Sequence, residues 1–141
     1  VIVMGQVLED TEMYLPDQLP IMRARLAPGP GARDLAVKRV VAFAGIAQPE
    51  KFFETLEEIG CIIVSRREFP DHHPFSRSEI DRLVSEAVAK DARLVTTAKD
   101  AIRLPAENRL GVDVLEVNVD FDKPDQFELL LDALMATAQV Y

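Results

Sequence analysis

The sequence is short of cysteine, of basic charge and of long apolar runs, and each shortage removes a class of function. Cys61 is the only cysteine in 141 residues, so no intrachain disulfide can form and nothing argues for an oxidising compartment. Followed by Ile62, Ile63 and Val64, it reads as a buried structural thiol. Lysine and arginine number 16 against 24 aspartates and glutamates, a formal charge of -8. Averaged over a surface, that charge repels phosphate backbones, and nucleic acid is not an expected partner. No apolar run approaches the ~18 residues needed to cross a bilayer, and no basic, then apolar, then small-residue leader opens the chain, which reads as soluble. It begins Val1-Ile2-Val3-Met4 rather than with an initiating Met, as a piece of a longer polypeptide would. Internal repeats and low-complexity tracts are also lacking.

What is present suits one compact core. Hydrophobic residues make up 48% and charged residues 28%, as in ordinary globular proteins. Residues 1–38, with Pro16, Pro20, Pro28, Gly29, Pro30 and Gly31, read as an irregular lead-in segment wrapping onto a domain of residues 39–141. Within that domain Val40 to Ala44 is a short apolar run, and Pro49 to Ile59 puts Phe52, Phe53, Leu56 and Ile59 on one helical face before a stop at Gly60. Cys61 to Ser65 is a second run. Ser76 and Glu79 form a capping box that opens a helix with Ile80, Leu83, Val84, Ala87 and Val88 inward. Arg93 to Thr97 reads as a third strand and Val112 to Val119 as a fourth, and Pro124 starts a helix that turns Phe127, Leu130, Leu131, Leu134 and Met135 inward. Strand–helix alternation predicts an α/β fold, a three-layer α/β/α sandwich with a mainly parallel sheet.

Open α/β sheets bind ligands beyond the carboxyl ends of their strands, so the loops that follow strands are where chemistry is sought. After the first strand, Gly45 opens a turn into a helix; it either presents backbone N–H groups to an anion or simply permits a tight turn. The second loop, Phe69-Pro70-Asp71-His72-His73-Pro74-Phe75, holds both histidines of the chain beside a carboxylate. A neutral imidazole can accept or relay a proton, with the carboxylate fixing its tautomer; equally, Asp71 can cap backbone and the histidines decorate a surface. Zinc would use the same residue types, yet neither a cysteine pair nor a helical His-x-x-x-His spacing accompanies them. In the third loop, Thr97, Lys99 and Asp100 suit a phosphate or ribose, or Thr97 caps a short helix while Lys99 and Asp100 are solvated.

Taken together, Val40 to Phe53, Phe69 to Phe75 and Leu94 to Ala101 resemble, in order and spacing, the carboxy-terminal half of tetraacyldisaccharide 4'-kinase, the lipid A 4'-kinase family; the Arg25 to Pro28 stretch is similar too. The resemblance covers nearly the whole chain. Ala47 stands where the family usually has glycine, and Ala98 where it usually has glutamate. The resemblance implies a P-loop kinase that uses ATP and Mg2+ to phosphorylate the 4'-hydroxyl of tetraacyldisaccharide 1-phosphate in lipid A biosynthesis, at the cytoplasmic face of the bacterial inner membrane. No Gly-x-x-x-x-Gly-Lys-Ser/Thr sequence occurs here, so the phosphate-cradling loop is expected in an amino-terminal half that partners this one, and the chain alone is expected to be inactive. By the same resemblance His72, with Asp71, assists a catalytic aspartate of the P-loop half; from their places in the loops just past the strand ends, Gly45, His73, Thr97, Lys99 and Asp100 are expected to line a substrate or nucleotide cleft. A metal-dependent phosphoesterase, suggested by Asp-His-His, and a non-catalytic ligand-binding domain are the competing readings.

Overall fold

A computed structural model describes residues 2–4 and 22–138. The chain divides into two compact units, one spanning Pro28–Val117 and the other formed by the residues on either side of it.

The larger unit is organised by one strand. In β3 (Arg39–Ala44) the five residues from Val40 to Ala44 are completely buried. Strand alternation sends Val40, Ala42 and Ala44 to one face and Val41 and Phe43 to the other, so a run apolar at every position is what a strand covered on both sides requires. β3 pairs in parallel with β4 (Ile62–Glu68) and β5 (Arg93–Thr97), and β5 with β6 (Asp113–Leu115), giving the order β4-β3-β5-β6. Val64 is skipped in the β3–β4 register.

One face is covered by the single turn α1 (Ala32–Leu35) and by α2 (Pro49–Ile59), whose Phe52, Phe53 and Leu56 are buried against it. Proline at the first turn starts α2, and Gly60 ends it at φ 96, donating to Glu57 O at 2.9 Å while Cys61 N–H reaches Leu56 O at 3.0 Å. Cys61 is buried, its thiol donating to Leu35 O at 3.2 Å, and burial pushes its pKa up. The other face carries α3 (Arg77–Ala89), opened by the Ser76–Glu79 capping box, with Ile80, Leu83 and Ala87 buried and Val84 half-buried. This is the expected α/β sandwich around a parallel sheet.

Val88, expected inward, is exposed. At 100° per residue it stands about 100° from the centre of the Ile80–Leu83–Ala87 stripe.

Two further expectations are corrected. The lead-in is not wholly irregular: β1 (Ile2–Met4) and β2 (Met22–Pro28) pair in parallel, Ile2 opposite Met22, in a second sheet ordered β1-β2-β7. Pro16 and Pro20 lie outside the described residues. The fourth strand, read as continuous from Val112 to Val119, is two strands in two sheets, β6 and β7 (Val117–Phe121). The break falls at Glu116, whose carbonyl accepts from Gly29 N–H at 2.7 Å, and a Cβ on Gly29 would lie a tight 3.1 Å from Glu116, so glycine eases this approach.

In the smaller unit, α5 (Pro124–Ala138) stacks Phe127 on Phe121 with ring centroids 4.1 Å apart. Leu131, Leu134 and Met135, expected inward, are exposed, while Phe127 and Leu130 are half-buried.

Candidate functional site

Because β4, β3 and β5 are adjacent and parallel, the loops that leave their carboxyl ends meet at one edge of the sheet. Phe69 N–H donates to Ala44 O at 2.8 Å and His72 N–H to Gly45 O at 3.1 Å, tying the histidine loop to the end of β3. On the other side, Gly45 N–H donates to the Asp100 carboxylate at 2.9 Å. Gly45, His72 and the Thr97–Asp100 turn therefore share an edge.

Gly45 is buried, and its N–H faces Asp100 rather than an open site. A Cβ there would lie 3.2 Å from Pro70 O, 3.3 Å from an Asp100 oxygen and 3.3 Å from the Phe75 ring, so close approach is the physical reason for glycine at this position.

The two adjacent histidines have different environments. His73 is stacked on Phe69 with centroids 4.9 Å apart and meets Phe75 edge-on at 5.1 Å, and its Nε2 lies 3.0 Å from Glu79 Oε1. Glu79 also accepts from the Ser76 backbone N–H and hydroxyl, both at 2.8 Å; these bonds, and less so the one to His73, hold its carboxyl below the usual carboxylate range. His73 is thus fixed by two aromatic rings and a carboxylate. His72 takes the left-handed backbone (φ 58), which turns its side chain out of the loop; that side chain is 79% exposed, with Nε2 3.6 Å from Asp71 Oδ2.

In the third loop the Thr97 hydroxyl accepts from Asp100 N–H at 3.1 Å, capping the single turn α4 (Ala98–Ala101), and donates to the Asp100 carboxylate at 2.9 Å. Asp100 is completely buried, not solvated. Its remaining partner is Arg103, whose Nη1 lies 3.2 Å from Asp100 Oδ1 and 3.2 Å from Gly45 O. Beside it, Thr96 is also fully buried, donating to Phe43 O at 2.9 Å. Lys99 is exposed and makes no ion pair among the described residues. Sequence reasoning missed Arg103, because its partner Gly45 lies 58 positions away, and missed that Glu79 caps a helix and holds His73 at once.

Among the described residues no three His, Cys, Asp or Glu side chains come together as metal ligands. No helix there is long and apolar enough to cross a membrane.

Comparison with known proteins gives this arrangement a family. The family model described as tetraacyldisaccharide-1-P 4'-kinase matches residues 1–136. Proteins named tetraacyldisaccharide 4'-kinase are similar to the chain: one from Paramagnetospirillum magneticum is 49% identical over 116 residues, 82% of this chain and 36% of the relative. One from Rhodospirillum rubrum is 45% identical over 139 residues, 96% of this chain and 42% of the relative. One from Methylorubrum populi is 55% identical over 104 residues, 74% of this chain and 32% of the relative. The chain thus spans well under half the length of these curated relatives. No solved structure matches significantly. With the family model running through all three strand-end loops, the chain belongs to the tetraacyldisaccharide 4'-kinase family.

Proposed function

We propose that this chain supplies the histidine-bearing half of a lipid kinase that transfers the γ-phosphate of ATP to the 4'-hydroxyl of tetraacyldisaccharide 1-phosphate, at the cytoplasmic face of the bacterial inner membrane. The observation that carries the reading is the contrast between the histidines: His72 is presented to solvent beside Asp71 at the carboxyl edge of the sheet, while His73 is locked between Phe69, Phe75 and Glu79. In the transfer the 4'-oxygen forms a bond to the γ-phosphorus, the bond from that phosphorus to the bridging oxygen breaks, ADP leaves, and the hydroxyl proton must go to a base. A neutral His72 imidazole accepts or relays that proton, and Asp71 orients the ring and stabilises the imidazolium. Lys99, exposed on the same edge, offers its ammonium to a phosphate oxygen. The P-loop that cradles the nucleotide, and the magnesium with it, are assigned to the amino-terminal half that partners this one. A histidine lent by one half to the other also gates the reaction, since it is in place only when both halves close on substrate.

The test is steady-state kinetics of the intact kinase that contains this chain, with His72→Ala beside His73→Ala. His72→Ala is expected to lower kcat ~10²- to 10⁴-fold with little change in KM for either substrate. His73→Ala is expected to lower kcat less and to register in thermal stability, through loss of its ring contacts. An unimpaired His72→Ala enzyme overturns the assignment.

A further inference from the structure

The buried cluster beside the proposed base has no chemical task in the reaction above, yet it ends on that base's backbone. Asp100 is completely buried and spends its carboxylate on three donors: Gly45 N–H at 2.9 Å, the Thr97 hydroxyl at 2.9 Å and Arg103 Nη1 at 3.2 Å. Arg103, its side chain 22% exposed, extends the same nitrogen to Gly45 O at 3.2 Å. That carbonyl also accepts the His72 N–H at 3.1 Å. Gly45 is thus gripped at both ends, its N–H by Asp100 and its C=O by Arg103, and its carbonyl is the anchor for the backbone of His72.

Stability alone is a poor reason for such a cluster. A buried ion pair offsets its own desolvation only in part, and apolar residues of the same volume commonly serve as well. What charged partners supply and apolar ones do not is direction, because a guanidinium donates along fixed lines. Direction is what His72 needs. Its left-handed backbone is unfavourable for a residue with a Cβ, and two hydrogen bonds hold it, His72 N–H to Gly45 O and His73 N–H to Pro70 O, both at 3.1 Å. The Cβ-less surface of Gly45, with Pro70 O and Phe75 close against it, lets the loop approach near enough for the bond to Gly45 O to form and tie the turn to the end of β3.

We infer that Arg103, braced by Asp100, is a positioning residue for the kinase reaction: through the Gly45 carbonyl it fixes the backbone from which His72 projects. The inference rests on the proposed role of His72, and the experiment separates the two. In the isotopically labelled intact kinase that contains this chain, amide hydrogen exchange is measured for wild type, Arg103→Gln and Arg103→Lys. In the intact kinase the same variants are assayed for kcat and both KM values. Arg103→Gln is expected to speed exchange at the His72 amide roughly tenfold, the scale of one net hydrogen bond, while the β3 amides Val41 to Phe43 keep their protection. In the kinase, kcat is expected to fall toward the ~10²-fold effect of misplacing a reacting group, with KM unchanged. Arg103→Lys, which keeps the charge on Asp100 but not the fixed line of donation to Gly45 O, is expected to recover only part of both. Unchanged His72 exchange overturns the inference, and so does uniform loss of protection across β3, which marks a merely structural cluster. A loosened His72 amide with unaltered kcat also overturns it; if His72→Ala is then silent, the proposed role of His72 falls too, whereas a slow His72→Ala leaves that role standing.

Discussion

The tip of the loop after β4 and the turn after β5 leave the same edge of the sheet, and they treat an aspartate in opposite ways. Asp71 has a side chain 46% exposed, lies 3.6 Å from the exposed His72 imidazole, and is held by no N–H donor among the described residues. Asp100 has no exposure at all and carries three donors. A carboxylate free to meet a substrate keeps water as its partner, while one that shapes backbone exchanges water for fixed donors. Exposure at a strand end therefore separates groups that can do chemistry from groups that hold those in place.

The largest expected effect tests the buried member. Asp100→Ala leaves Gly45 N–H, the Thr97 hydroxyl and the Arg103 guanidinium without their acceptor, and is expected to cost about 3 kcal/mol in urea unfolding. Asp71→Ala is expected to stay within ~0.5 kcal/mol of wild type. Equal effects at the two positions would break the comparison.

A middle case lies beneath the tip, where Glu86 of α3 accepts from Arg67 of β4 at 3.0 and 3.1 Å and from Lys90 at 3.1 Å. Hydrogen bonds from Arg67 first, then Ser65 and Lys90, lower its pKa from the ordinary 4.5 to about 2. A carboxyl whose folded value lies below its unfolded one stabilises the fold fully above the unfolded value, and this stabilisation drains away as pH falls from 4.5 toward 2. Thermal melts across that window are expected to show a shallower acid loss for Glu86→Gln than for wild type. A parallel acid limb in the two proteins would remove Glu86 from the acid response.

The smallest effect concerns backbone. Val37 shares the left-handed φ of 58 with His72, yet it is 78% exposed and carries a branched side chain that suits this region poorly. Val37→Gly is expected to raise stability by about 1 kcal/mol, relief of strain outweighing the added freedom of the unfolded chain. Stabilisation there sharpens the contrast with His72, where the same backbone carries a side chain with a proposed task.

The amino-acid sequence by itself determined the features that act over a few residues. The Ser76–Glu79 box opens α3 because the two side chains lie one turn apart, Gly60 ends α2 because only glycine enters φ 96 freely, and the apolar run from Val40 to Ala44 announces a strand covered on both faces. Strand–helix alternation gave the parallel sheet, and with it the shared edge of the three loops. Tertiary structure alone decided what meets across long separations. Asp100 is buried because Gly45 arrives from 55 positions away, and Arg103 matters because the sheet puts the ends of β3 and β5 side by side. Likewise the Val112–Val119 run breaks at Glu116 because Gly29 is pressed against it, which no local pattern records. The apolar stripe of α5 was legible, but Leu131, Leu134 and Met135 remain exposed, because helical period fixes which residues share a face and not whether anything lies opposite. Which of the two histidines faces solvent was settled by the same physics: Phe69, Phe75 and Glu79 converge on His73 only once the loop is folded back on β3 and α3.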